Sequence, residues 1–142
     1  MAKWSADLED QVFGYWSQGT KPQTPTEMVR EFVTLTGQKP DPELSAKLIK
    51  EEFEEWDWER FLSVGGEEVY DPKRELKELA DLLYVIYGYA NVRGWDVEVA
   101  FRRVHDNNIG RCIQPDGTVK RREDGKIMKN PNYPAVYLED LI

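Results

Sequence analysis

Two Asp-Pro steps, Asp41-Pro42 and Asp71-Pro72, divide the middle of the chain into two long segments with a helical pattern. Aspartate caps a helix N-terminus and proline is tolerated at the first helical position, so each step predicts the start of a helix. The first helix is expected to run to about Arg60 and the second to Arg93. Because Gly65-Gly66 lies between them, the two helices are expected to form an antiparallel hairpin.

Three shorter helices are predicted on either side of this pair. The segment from Ser5 to about Gln18 is amphipathic, and Thr24-Pro25-Thr26-Glu27 is a capping signature for a helix that ends near Gly37. Asp96 caps a further helix that reaches about Asn108. The periodicity therefore predicts an all-α fold, an antiparallel helix bundle.

After the last helix, turn-forming residues replace the helical period. Pro115-Asp116-Gly117 and Glu123-Asp124-Gly125 flank residues 118–122, which predicts a small hairpin or an ordered loop. The tail from residue 131 onward is expected to lie across the helices. The length suits one domain over residues 1–142. Its expected parts are N-terminal helices at 1–38, catalytic helices at 41–108, and a basic segment with the tail at 109–142.

The cysteine and histidine content limits the chemistry. Cys112 is the only cysteine and His105 the only histidine, so neither an internal disulfide nor a zinc site of Cys and His ligands is expected. The N-terminus has no basic segment followed by an apolar run, and the longest apolar stretch, residues 82–90, is too short to span a bilayer. We therefore expect a soluble, cytoplasmic protein without a membrane partner.

Charge is distributed unevenly along the chain. The net charge of −8 argues against a general nucleic-acid-binding protein, which would need clustered Lys and Arg. Residues 111–130 nevertheless carry six basic side chains against three acidic ones. This basic segment indicates a local site for an anion in an otherwise acidic protein.

Acidic side chains lie on the apolar faces of both long helices. On a helical wheel Glu52 and Glu55 are about 60° apart, on the stripe that also carries Leu48. Glu78 and Asp81 share a face of the second helix, which is apolar nearly all round. These four carboxylates are therefore not ordinary surface charges.

The spacing of the four acids adds an independent constraint. Glu52 and Asp81 average to position 66.5, and so do Glu55 and Glu78. In an antiparallel hairpin they face one another at the same height, and each pair about 4 to 5 Å apart repels by roughly 3 to 4 kcal/mol. Protons or cations must neutralise them. An all-oxygen ligand set favours Mg²⁺, with Mn²⁺ as a substitute.

The alternative is a charged hairpin whose acids pair with Arg74, Lys77 and Lys50. Two acidic pairs on apolar faces and in register are unusual for surface charge, so we prefer the metal interpretation. A ferritin-like di-iron site is excluded, because it needs a Glu-x-x-His on each of two helices.

The segments that carry the acids resemble a known family. Glu52-x-x-Glu55, a gap of 22 residues and Glu78-x-x-Asp81 are similar to the ExxE…ExxD signature of the all-α nucleoside triphosphate pyrophosphohydrolases, the MazG-like group. Residues 48–52 resemble the Leu-Ile-x-Glu-Glu of that family, and Glu31-Phe32 lies upstream where a Glu-Phe is usual.

Two later segments extend the resemblance to about residues 29–137. Residues 104–111 resemble a family segment ending Asn-Met-Ser-Lys, and residues 125–133 resemble Gly-Lys-x-x-Lys-Gly-Pro-Asn-Tyr. Arg111 stands where the family usually has lysine, which keeps the charge, and Asn130 replaces the usual glycine.

The resemblance implies hydrolysis of a nucleoside triphosphate between its α and β phosphates, giving the monophosphate and pyrophosphate. Mg²⁺ bound by the four acids, Glu52, Glu55, Glu78 and Asp81, would neutralise the phosphates and activate a water. Glu51 is a candidate for an additional ligand or general base, with a solvated glutamate as the alternative.

Substrate contacts are assigned on the same basis. Lys126, Lys129 and Arg111 would hold the outgoing phosphates. Asn108 would contact phosphate or sugar. Independently of the resemblance, Trp56 lies beside the carboxylate face and is the best candidate for stacking on the base.

The resemblance also implies a homodimer or homotetramer whose sites use more than one subunit. The nearest alternatives are the phosphoribosyl-ATP pyrophosphohydrolases and the dimeric dUTPases, which share the acids and differ in base recognition. An alternative from another class is a catalytically silent helical bundle that senses nucleotides. The sequence does not select the base or the sugar.

Overall fold

The computed structural model describes residues 23–65 and 69–142. Within these residues the fold is all-α, as predicted from the sequence, and no strand is formed. The helix predicted from Ser5 to Gln18 lies outside the described residues. The described elements are the helices α1 (Pro25–Thr36), α2 (Pro42–Gly65), α3 (Pro72–Arg93) and α4 (Val97–Cys112), and a 3-10 turn at Glu139–Leu141.

The helices begin at the capping residues that the sequence predicts. Thr24 Oγ1 accepts a hydrogen bond from the Glu27 amide at 3.2 Å, and the Glu27 carboxylate accepts one from the Thr24 amide at 3.1 Å. The side chains of Asp41, Asp71 and Asp96 each accept a backbone N–H in the first turn that follows. Each cap satisfies an N–H group that has no partner inside the helix.

Two helices run further than the sequence predicts. α2 does not end near Arg60 but continues to Gly65, and α4 passes Asn108 and reaches Cys112. No proline interrupts either extension, so the i to i−4 hydrogen bonds continue until Gly65 in α2 and until shortly before Pro115 in α4.

The principal packing contact joins α2 and α3, which run antiparallel as the hairpin predicted from the sequence. α1 packs against α3, and Asn91 Nδ2 donates to the Thr26 carbonyl at 3.3 Å between these two helices. α4 packs less closely on the hairpin than α1 does. Large apolar side chains on three helices remain exposed: Val64 at 80%, Leu76 at 67% and Phe101 at 72%.

The segment after α4 contains two tight turns. Ile113 pairs with Val119 across the first turn and Arg121 with Ile127 across the second, both antiparallel. Gly117 and Gly125 adopt positive φ at these turns, as the Asp-Gly sequences predict. The predicted hairpin is therefore present as two isolated bridges rather than as strands.

The tail lies along α4. Arg103 pairs with Asp140 and donates to the Tyr137 carbonyl at 3.1 Å, and Asn107 Nδ2 donates to the Pro134 carbonyl at 2.9 Å. None of the described helices is long and apolar enough to cross a membrane.

Candidate functional site

Three carboxylates meet between the central helices. One oxygen each from Glu52 and Glu55 on α2 and from Glu78 on α3 lies within 4.8 Å of the others. Glu59 and Arg74, whose positions also average to 66.5, form an ion pair at 3.3 Å on the same two helices. The hairpin therefore has the register that the spacing of the acids predicts.

Glu52 lies in surroundings that disfavour its ionised form. Burial raises its pKa above the ordinary value, and the negative charges of Glu55, Asp81 and Glu78 raise it further. Its Oε2 is buried and has no hydrogen-bond partner among the described residues. A buried oxygen of this kind requires a proton or a cation to offset its lost hydration.

Asp81, the fourth predicted ligand, is not among the three carboxylates that lie within 4.8 Å of one another, and it pairs with a lysine. Lys77 Nζ is 2.7 Å from Asp81 Oδ2 and 3.4 Å from Glu78 Oε1. The hydrogen bond to Asp81 raises the pKa of Lys77, and the positive charge of Lys77 partly opposes the rise in the pKa of Glu52. Ion pairs between these acids and basic side chains are the alternative to a metal site that the sequence left open, and Lys77 forms such pairs.

The other two cations named in that alternative have different partners. Arg74 pairs with Glu59 rather than with Glu78, and Lys50 is 3.7 Å from Glu54 on the exposed side of α2. One ammonium therefore faces the four acids of the two motifs from the described part of the hairpin. The cluster retains an excess of negative charge.

The carboxylates fit a hard divalent cation. All of their donor atoms are oxygens, and the carboxylates are held by two helices that pack against each other. One of these oxygens, Glu52 Oε2, is buried and has no hydrogen-bond partner among the described residues. Mg²⁺ and Mn²⁺ prefer such ligands, and a site of few carboxylates leaves coordination positions for water and phosphate oxygens.

An open cleft of about 470 Å³ lies beside the cluster. It is lined by Glu51, Glu54, Glu55, Trp58, Glu59 and Glu78. Glu51 thus borders the same space as two cluster acids, although its own side chain is exposed. The cleft is acidic, so a phosphate chain would need cations to enter it.

Trp58 and Glu59 were not singled out from the sequence. Trp58 is 60% exposed and its ring lies 6.0 Å from that of Phe61, while the Glu59 side chain is only 15% exposed. Spacings of four and eight residues place both Glu55 and Glu59 on the helical stripe of Glu51, and this periodicity is the signal that would have found Glu59.

Trp56, the stacking candidate from the sequence, packs within α2. Its ring centroid is 5.7 Å from that of Phe53, and the Arg60 guanidinium lies 5.9 Å from its centroid. Trp58 rather than Trp56 borders the acidic cleft.

The predicted phosphate-binding residues belong neither to the group of three carboxylates nor to the lining of the acidic cleft. Arg111 Nη1 donates to Asn107 Oδ1 at 3.3 Å, and the Arg111 carbonyl accepts from the Asn130 amide at 2.7 Å. Asn108, Lys126 and Lys129 are exposed. Among the described residues no ion pair joins this group to the four acids.

Comparison with known protein families identifies the class of this chain. Residues 18–108 match the model of the phosphoribosyl-ATP pyrophosphohydrolase family. The match covers more than half of the chain and includes all four acids, while Arg111, Lys126 and Lys129 lie beyond its end. The chain belongs to this family, one of the all-α nucleoside triphosphate pyrophosphohydrolase superfamily, and is thereby a nucleotide pyrophosphohydrolase. Comparison with curated proteins found no match.

Proposed function

We propose that the chain hydrolyses a nucleoside triphosphate at the α-β phosphate bond and releases pyrophosphate, with Mg²⁺ bound by Glu52, Glu55, Glu78 and Asp81. The observation that carries this proposal is the carboxylate cluster, in which three oxygens lie within 4.8 Å and Glu52 Oε2 is buried without a partner. Mn²⁺ is the expected substitute for Mg²⁺ because it accepts the same oxygen ligands.

The four acids would hold the ion, which would neutralise phosphate charge and make a water more acidic for attack on the α phosphorus. Glu52 would be the anchoring ligand because its Oε2 is buried and has no hydrogen-bond partner among the described residues. Glu55 and Glu78 border both the cluster and the acidic cleft, so they would present the ion to phosphate oxygens there. No covalent nucleophile is required.

Glu51 would either remove a proton from the attacking water or act as a further ligand of the ion. It lies one residue from Glu52 and borders the cleft. Neither role requires a histidine, and His105 is exposed on α4.

A second substrate class is favoured by the family match. The name of the matched family specifies phosphoribosyl-ATP, which carries the same triphosphate chain and differs in its modified base. The MazG-like resemblance favours ordinary or modified nucleoside triphosphates instead. The cleavage is the same in both cases, so the carboxylates do not distinguish them.

We further propose that the working form is a homodimer or homotetramer. In the part of the chain that the structure describes, no ion pair joins Lys126, Lys129 or Arg111 to the cluster. Large apolar side chains such as Leu76 are exposed on the helices. A second copy would bury this surface and bring a basic segment to an acidic cleft.

The single free Cys112 agrees with a cytoplasmic location.

A panel of substrates tests the proposed function. The protein is incubated with Mg²⁺ and each canonical nucleoside triphosphate, several damaged ones, dUTP and phosphoribosyl-ATP, and the products are separated. Monophosphate and pyrophosphate from an ordinary triphosphate support the first class. Turnover of phosphoribosyl-ATP alone supports the second, turnover of dUTP alone supports a dUTPase-like enzyme, and no product from any of them supports a silent bundle.

A further inference from the structure

A second cavity, of about 220 Å³, lies between α1, α2 and α3. Its walls are mostly apolar and include Val29, Phe32, Val33, Leu48, Val85 and Val92. Polar side chains, among them Arg30 and Lys39, also line it. Its volume lies below the range of about 300 to 1,000 Å³ typical of pockets for drug-sized ligands, so it suits one ring system rather than a whole nucleotide.

The cavity lies in register with the carboxylate cluster. Ser45 and Leu48 line it from α2, and Val85 and Gly88 line it from α3. Each of these positions is seven residues from one of the four acids: Ser45 from Glu52, Leu48 from Glu55, Val85 from Glu78 and Gly88 from Asp81. Seven residues are two helical turns, so the cavity shares the interhelical seam of the acids and is displaced by about 10 Å along it.

Small residues keep this part of the seam open. Ser45 and Gly88 occupy positions whose average is again 66.5, so they stand at the same height on the two helices. The nearest atom that a Cβ on Gly88 would meet is Val29 Cγ1, at 3.7 Å. Glycine is unfavourable inside a helix, so its place here is explained by the space that it leaves.

One polar group in the cavity wall has an unused acceptor. Asn91 Nδ2 donates to the Thr26 carbonyl at 3.3 Å, which fixes the orientation of the amide and identifies the other atom as oxygen. That Oδ1 is buried and has no hydrogen-bond partner among the described residues. A buried acceptor in an apolar wall favours a flat ligand that carries N–H donors.

We infer that this cavity binds the nucleobase of the substrate whose phosphates lie at the carboxylate cluster. The inference rests on the proposed function and adds the site of base binding to it. A displacement of two helical turns is comparable to the span from base to phosphate chain in an extended nucleotide. The mostly apolar cavity accepts an aromatic ring, while an ion at the four acids would attract the phosphates, and this fixes the direction in which the nucleotide lies.

The test fills the cavity and compares substrates with and without a base. Gly88→Leu places a side chain into the space that Gly88 leaves. The same change in Gly65→Leu is the matched control, because Gly65 is also helical and has open space within 4 Å. ATP, or the best nucleotide of the panel, is compared with methyl triphosphate, which has the same anhydride and no base. Binding of a non-hydrolysable α,β-methylene nucleotide is measured by calorimetry in parallel.

We expect Gly88→Leu to raise the Michaelis constant for the nucleotide and the dissociation constant of the analogue about tenfold or more, with a much smaller effect on methyl triphosphate. Gly65→Leu should change neither constant. An equal effect of Gly88→Leu on both substrates, or unchanged binding of the analogue, would overturn the inference. If Gly88→Leu does not fold, Ser45→Leu fills the cavity from the opposite helix and is judged by the same criteria.

Failure of the proposed function gives a different result. A wild-type protein that hydrolyses neither compound has no pyrophosphohydrolase activity on them, but base binding is still measured by the calorimetric arm. A raised melting temperature for Gly88→Leu with unchanged analogue binding would identify the cavity as a packing gap without a ligand.

Discussion

Lys77 Nζ lies 2.7 Å from Asp81 Oδ2, so an ammonium group occupies the edge of the carboxylate cluster. The same group is 3.4 Å from Glu78 Oε1. Two of the four proposed metal ligands are thus already paired with a cation that belongs to the protein. A divalent ion must share or displace this ammonium to bind all four acids.

Removal of that ammonium should tighten metal binding. In Lys77→Met we expect the dissociation constant of Mg²⁺ to fall several-fold, because a competing positive charge is lost while the acids remain. Isothermal titration with Mg²⁺ measures the constant. Lys73→Met, one turn earlier on α3, is the matched control and should leave it unchanged. Weaker Mg²⁺ binding in Lys77→Met would show that the lysine supports the site instead of competing for it.

Mg²⁺ itself should stabilise the fold. Because the ion binds the assembled acids and not the unfolded chain, a hundredfold excess over its dissociation constant adds about 2.7 kcal/mol. For a domain of this size that is a rise of roughly 5 to 10 °C in the melting temperature. Thermal melts at constant ionic strength, with KCl as the control salt, measure it. A melting temperature that Mg²⁺ does not change would count against the metal site.

The basic segment should act on substrate binding rather than on stability. We expect Lys126→Ala and Lys129→Ala each to weaken triphosphate binding by about 1.5 to 3 kcal/mol, a roughly 10- to 150-fold rise in the Michaelis constant, because a charge-assisted phosphate contact is lost. Lys120→Ala, in the same segment, is the control. Steady-state kinetics beside a thermal melt distinguish the two outcomes, since a lowered melting temperature with an unchanged constant would assign these lysines a structural role.

The tail should depend on a helical glycine. A Cβ on Gly110 would overlap the hydroxyl group of Tyr133, so Gly110→Ala must displace the tyrosine and the tail around it. Overpacking of this kind destabilises by about 1 to 3 kcal/mol, more than alanine gains over glycine inside a helix. Gly65→Ala, in open space, should be neutral or stabilising. Thermal melts and limited proteolysis of the tail measure both, and an equally stable Gly110→Ala would contradict the contact.

The central hairpin was predictable because its signals are local. Asp41-Pro42 and Asp71-Pro72 fix the helix starts, and the symmetric spacing of the acids fixes the register that Glu59 and Arg74 confirm. The end of α2 was not predictable, since residues 61–64 contain neither a strong breaker nor a strong helix signal.

Contacts between distant segments were beyond the sequence pattern. Nothing local to Lys77 shows that its ammonium turns toward Asp81 instead of toward solvent, because a lysine side chain has many rotamers of similar energy. The apolar cavity arises where α1 crosses the seam at Gly88, and this crossing is set by packing among three helices. Periodicity within one helix carries no information on it.

The most direct test of the proposed pyrophosphohydrolase activity is to determine which phosphorus atom the water attacks. The preferred nucleotide of the panel is hydrolysed with Mg²⁺ in water enriched in heavy oxygen, and the products are weighed by mass spectrometry. We predict that the label enters the nucleoside monophosphate, that pyrophosphate leaves unlabelled, and that Glu52→Gln and Asp81→Asn fold with equal or higher stability but give no product. Label in pyrophosphate or inorganic phosphate, or near wild-type turnover by the folded Glu52→Gln, would contradict the assignment.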